Sequence, residues 1–183
     1  EIEPHQFARI IDARRKQGSR NVNFVTPTPH LNTVLKIINN ISVNIPVIWN
    51  SNMYHSKEVG ELLEGVVDVY LADFRYGNDR CAEKYSNVKY YTEVVKRNIK
   101  KAYQHSEIIL RHLVLPGHLE CCTKSIIEWT AKNIPDIRFN IMFQYIPYYK
   151  AHDYPVINRR LTLKEREKAI HMVKDFNIKD LLV

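Results

Sequence analysis

The sequence predicts a single α/β domain built on a parallel sheet. Short β-rich runs alternate with helix-patterned segments along the chain, and strands separated by helices pair in parallel through right-handed crossovers. The 183 residues suit one domain, with no linker-like stretch and no internal repeat. A content of 45% hydrophobic residues is enough for an ordinary core and excludes a disordered chain.

Each element has its own local signal. Glu3 to Gln17 reads as a helix, with Pro4 in its first turn, Phe7, Ile10 and Ile11 at helical spacing and Gly18 at its end. Asn21–Val25 is the first strand, followed by the loop Thr26-Pro-Thr-Pro-His30 and a helix over 32–40. Pro46–Asn50 is the second strand, and Ser56 caps the helix after it. Val66–Leu71 is the third strand, and a helix follows over 91–104. Glu107–Leu115 is the fourth, stopped by Pro116-Gly117, and a helix spans 118–133. Ile137–Met142 is the fifth strand. Tyr145–Pro155 is the longest expected loop, and Thr162 with Glu165 forms a capping box for a last helix to Asp175.

Composition excludes several function classes. The longest apolar run, Ile108–Leu115, is broken by Arg111 and His112 and cannot span a membrane, and no signal peptide opens the chain. The net charge of +7 permits anionic ligands, but the densest basic cluster, Lys96–Lys101, reads as a solvated helix face, so no nucleic-acid partner is expected. Three cysteines, Cys81, Cys121 and Cys122, have neither Cys-x-x-Cys spacing nor a partner for each; they predict a reduced, cytoplasmic chain without a disulfide framework or metal site. The adjacent pair reads as buried and inert, or as a lowered-pKa thiol at a helix start. Gly-x-Gly-x-x-Gly, Walker and Gly-x-Ser-x-Gly motifs are absent.

Ligands of parallel α/β folds lie beyond the carboxyl ends of the strands. All five predicted strand ends carry hydrogen-bonding groups: Thr26 to His30, Asn50-Ser51-Asn52, Asp73 with Arg75, Arg111-His112, and Gln144-Tyr145. Arg111 stands in an apolar run, so it must be paired or face a cavity. His112 points the opposite way and is expected to be structural. Asp73 and Arg75 share a side, either as a surface ion pair or as a carboxylate held by a cation beneath a ligand. His30, His118 and His152 are scattered and predict no metal site.

Taken in order, Asn23-Phe-Val-Thr-Pro-Thr-Pro-His30, Trp49-Asn-Ser-Asn-Met-Tyr54, Asp73-Phe-Arg-Tyr-Gly-Asn-Asp79, Arg111-His-Leu-Val-Leu-Pro-Gly-His118, Glu120-Cys-Cys-Thr123 and Met142-Phe-Gln-Tyr145 resemble the radical S-adenosylmethionine (SAM) proteins similar to the pyruvate formate-lyase activating enzyme. The resemblance covers essentially the whole chain. It implies a parallel partial (βα)6 TIM-like barrel, here lacking its first strand. It also implies an iron–sulfur oxidoreductase activity: reductive cleavage of SAM by a 4Fe–4S cluster to a 5′-deoxyadenosyl radical that abstracts hydrogen. The implied partner is a glycyl-radical enzyme or a small-molecule substrate. Carried over by motif, the cofactor-binding residues are Thr26, Thr28, Asn50, Ser51, Asn52, Asp73, Arg75 (where the activase has Lys), Arg111, Gln144 and Tyr145. The family's Cys-x-x-x-Cys-x-x-Cys is absent. The cluster ligands and first strand are therefore expected upstream of Glu1, in the full-length protein only, and the fragment alone is expected to be inert. An open edge at Asn21–Val25 predicts self-association. The rival readings are a cluster-less binding or scaffold protein that uses the barrel mouth for a partner, and a cluster-independent enzyme with Asp73 as base and Arg111 binding an anion.

Overall fold

In a computed structural model, which describes all residues but 1, 177 and 179, six strands form one open, all-parallel sheet. They are β1 (Val22–Val25), β2 (Val47–Ser51), β3 (Val69–Asp73), β4 (Glu107–Leu113), β5 (Arg138–Met142) and β6 (Asp180–Leu182), and their spatial order is their chain order. The helices are α1 (Pro4–Lys16), α2 (Leu31–Asn39), α3 (Lys57–Leu62), α4 (Asp79–Ser86), α5 (Tyr91–Tyr103), α6 (Ser125–Asn133) and α7 (Leu163–Asp175). A π-helical segment, Leu119–Lys124, leads into α6. This is the α/β architecture expected of a partial barrel.

Several elements differ from expectation. β3 starts three residues late because Asp68 closes its entry: its carboxylate accepts from the Val47 N–H at 2.7 Å, while Val66 and Val67 turn back on Leu63. α4 was not predicted. Asn78 caps it by accepting from the Cys81 N–H, but only Cys81 and Ala82 are buried on it, too few for a periodic signal. β6 is a three-residue strand beyond the last predicted helix. Along α1, Ala8 and Ile11 are buried while Phe7 and Ile10 remain partly exposed. The capping box of α7 is present, with Thr162 and Glu165 bonded reciprocally.

Alternation along the strands separates two faces. Trp49, Tyr70, Ala72, Leu110, His112, Phe139 and Ile141 are buried in the core with helix residues such as Val95, Ile99, Ile126 and Ile127. Their neighbours Asn50, Leu71, Asp73, Ile109, Arg111, Leu113, Asn140 and Met142 are only half-buried and define the sheet's inner face.

His112 is structural, as its parity implies. It is fully buried, with Nδ1 at 2.9 Å from the Phe74 carbonyl and Nε2 at 2.9 Å from the Thr123 hydroxyl. A carbonyl only accepts, so Nδ1 carries the proton and Nε2 accepts from Thr123. Burial pushes its pKa down to about 4, against a smaller upward push from the Phe74 carbonyl.

The basic run on α5 is not simply a solvated face. Asn98 is buried and donates to the Met53 and His55 carbonyls at 2.8 and 2.9 Å, and Arg97 also donates to His55 at 2.8 Å. These bonds hold the loop after β2, where Met53 adopts φ +56°. Lys101 pairs with Glu64, while Lys96 and Lys100 lie over the Trp129 ring.

Two outcomes follow. Replacing Asn98 with Ala leaves a buried carbonyl without its donor and lowers unfolding stability by about 1–3 kcal/mol, read by urea denaturation. Neutral His112 contributes stability that is complete above its ordinary pKa, near 6.5, and is lost as pH falls toward about 4. Urea melts at neutral pH and near pH 4 should show a drop that shrinks by about 3 kcal/mol in His112→Gln. An equal drop in both proteins excludes His112 as its source.

Candidate functional site

The strand ends bring polar groups from three neighbouring strands onto the inner face. Asp73 ends β3 and lies directly opposite Arg111 of β4 in the parallel register. The Arg111 guanidinium donates through Nε to Asp73 Oδ1 at 2.8 Å and through a terminal nitrogen to Asn50 Oδ1 of β2 at 2.7 Å. Arg75, just past β3, reaches the other Asp73 oxygen at 3.2 Å. The Asp73 and Arg111 side chains are 15% and 22% exposed, whereas Arg75 is 56% exposed. The backbone beneath it is fixed, because the Arg75 N–H donates to the buried Tyr91 hydroxyl at 2.8 Å.

Asp73, Arg75 and Arg111 border a cleft of about 360 Å³ whose other walls are Tyr76, Leu113, Leu115, Met142 and Tyr145. Two guanidiniums share one carboxylate, so the cleft carries an excess positive charge beside an apolar wall. That combination suits a ligand with a carboxylate or phosphate end and an apolar body.

Of the ten residues singled out in the sequence, Asp73, Arg75, Arg111 and Tyr145 line the cleft, and Asn50 joins them through its bond with Arg111. Tyr145 also donates to the Ile157 carbonyl at 3.0 Å, which fixes its ring. The other five lie elsewhere. Ser51 is buried on the opposite face, and its hydroxyl accepts from the Met53 N–H. Asn52 accepts from the Tyr54 N–H, so both side chains build the turn after β2. Thr26 is exposed, with φ +52°, and its N–H donates to the Asn50 carbonyl. Thr28 opens a 3-10 turn. Gln144 is exposed and borders a separate open hollow with Asn140 and Arg166. Leu113, Leu115 and Met142 were not anticipated, although Leu113 and Leu115 follow from Arg111 by strand parity and Met142 pairs in register with Leu113.

The three cysteines converge, which their spacing did not signal. Cys81 lies in the first turn of α4, and Cys121 and Cys122 lie in the π-helical segment. Cys121 Sγ is 4.0 Å from Cys81 Sγ and 3.9 Å from Cys122 Sγ, and all three sulfurs lie within 4.8 Å of one another. Gly77 makes this approach possible: a Cβ there would stand 2.6 Å from the Cys122 carbonyl oxygen and 2.7 Å from its Cα. Burial raises the Cys122 thiol pKa, and burial together with neighbouring Cys81 raises that of Cys121. Neither is a lowered-pKa thiol. Among the described residues, His30, His118 and His152 join no metal-ligand group.

The trio does not fit the 4Fe–4S cluster that the sequence resemblance implies. A cubane takes each thiolate on a different iron, well separated around the cluster. Here the sulfurs nearly touch, two come from adjacent residues, and none borders the cleft.

No family model matches the chain. It is 50% identical over 177 residues to an uncharacterised protein of Methanocaldococcus jannaschii; the match covers 96% of this chain and 52% of that protein, so the chain spans about half the length of this curated relative. Among solved structures, hydroxymethylglutaryl-CoA lyase of Pseudomonas aeruginosa superposes with a TM-score of 0.56 at 13% identity, over 98% of this chain and 60% of that one. A domain of pyruvate-formate lyase-activating enzyme from Bacteroides vulgatus superposes with a TM-score of 0.69 at 14% identity, over 90% of this chain and 98% of that domain. At that superposition the chain has the fold of the pyruvate-formate lyase-activating enzyme domain.

Proposed function

We propose that the chain is the SAM-binding part of a radical SAM protein of the activase-like type, and that the cleft takes the amino-acid end of SAM. The observation that carries this is the pair of guanidiniums sharing Asp73. Arg75 is the exposed member and turns to the ligand carboxylate. Asp73, relieved of Arg75, faces the ligand ammonium, and Arg111 keeps that carboxylate in place. Tyr76, Leu113 and Met142 offer an apolar wall to the rest of the molecule. In proteins of this type, SAM bound beside a reduced cluster supplies a 5′-deoxyadenosyl radical. The described residues do not provide a cluster's ligands; their part in this reading is to bind and orient SAM. The substrate is either a glycyl-radical partner or a small molecule. No helix among the described residues is long and apolar enough to cross a membrane, and a cytoplasmic setting suits the unpaired thiols. β1, at the sheet edge, offers the pairing surface for self-association.

Calorimetric titration of SAM into the chain tests the reading. We expect one site per chain. Arg75→Met removes one charge-assisted contact, worth about 1.5–3 kcal/mol, and should weaken binding by about tenfold or more. Arg111→Met should weaken it at least as much. An absence of SAM binding, or binding unchanged in both variants, overturns the assignment and leaves the cluster-less binding protein in its place.

A further inference from the structure

We propose that Cys81, Cys121 and Cys122 form a binding site for one soft tetrahedral metal ion of the Zn2+ type, distinct from the cleft and from the family's iron–sulfur cluster. Four ligands about 2.3 Å from a tetrahedral Zn2+ place neighbouring sulfurs about 3.8 Å apart. Two of the three separations here are 4.0 and 3.9 Å, and the third is no more than 4.8 Å. Small rotations about the Cα–Cβ bonds bring all three to one ion.

A hydrogen-bond donor already reaches the trio. Asn78 Nδ2 lies 3.6 Å from Cys122 Sγ while donating to the Cys121 carbonyl at 2.8 Å, and its Oδ1 accepts from the Cys81 N–H at 2.8 Å. One side chain thus ties all three cysteines together and offers a hydrogen bond to a sulfur, as donors around bound thiolates do. Gly77 sets the backbones at contact distance. Cys121 is exposed whereas Cys81 and Cys122 are buried, so the trio opens to solvent on the Cys121 side, from which a water would supply the fourth ligand. Three thiolates with one open position suit Zn2+ and similar thiophilic ions, not Mg2+ or Ca2+. The ion would join α4 to the π-helical segment across 40 residues of chain.

The chain has only these three cysteines, so any thiolate–metal signal it gives belongs to this site. The test is a titration of the reduced, metal-free chain with Co2+ under anaerobic conditions. The expected result is one Co2+ per chain, with a thiolate-to-cobalt charge-transfer band and the intense visible bands of tetrahedral cobalt, all displaced by Zn2+. Cys121→Ser alters an exposed position and should keep the fold, checked by circular dichroism. It should weaken Co2+ binding at least about tenfold and reduce the charge-transfer intensity. Cys81→Ser should do the same. The proposal is overturned by a wild-type chain with no charge-transfer band, by undiminished binding in both variants, or by iron and sulfide assembling a cubane on these three thiols. None of these outcomes depends on SAM binding in the cleft.

Discussion

The structure turns on where an arginine inside a β-strand can go. Arg111 is the fifth residue of β4 and follows three apolar ones, Ile108, Ile109 and Leu110. Packed against the helices it would be a buried charge without water, at a cost of several kcal/mol. On the inner face it meets Asp73 and Asn50 and keeps some contact with solvent. That choice fixes the parity of β4, and a slip of one residue would send His112 to the inner face and Arg111 into the core. The register then passes sideways, since Arg111 opposes Asp73 of β3 and Asn140 of β5. The ion pair that shapes the cleft and the core packing of the sheet are consequences of one constraint.

Much of this was legible because it is local or periodic. The strand–helix alternation, the opposition of Arg111 and His112, and the Thr162–Glu165 capping box need only neighbours along the chain. What stayed hidden depends on tertiary contact. α4 has a good cap but few core residues, so its pattern is weak and its existence rests on packing. After a strand, Ser51 and Asn52 suit either a ligand or the local backbone. Their side chains accept from the N–H groups two residues on and close a turn, a local role that the residue types allow and that only the folded backbone selects. The solvated reading of α5 failed at Asn98 because its partners lie more than 40 residues away.

The loops beyond the strands are held by side chains that reach across them. Asn98 grips the loop after β2. Glu165 pairs with Arg159, caps α7 and accepts from Gly117 after β4, and the Arg159 guanidinium above all holds its carboxyl well below the usual carboxylate range. These loops are therefore tied down at several points. The exposed charge of the cleft is Arg75, whose backbone is pinned but whose guanidinium is half in solvent. Binding that reorients one exposed side chain loses little conformational entropy.

The cleft and the cysteine trio meet at Tyr76. Its ring borders the cleft, and its hydroxyl is 2.8 Å from the Ser86 hydroxyl at the end of α4, the helix that carries Cys81. Its phenol is buried and feels Cys81 and Cys122, which add to the upward push that burial gives its pKa. An ion held by the trio would replace thiols that touch weakly with thiolates fixed to one centre. It would thereby lock α4 against the π-helical segment, and with α4 the wall that Tyr76 presents to a ligand. Coupling between the two sites would then pass through a ring already in place, not through a rearrangement of the sheet, because Gly77 has set the backbones at contact distance before any ion arrives.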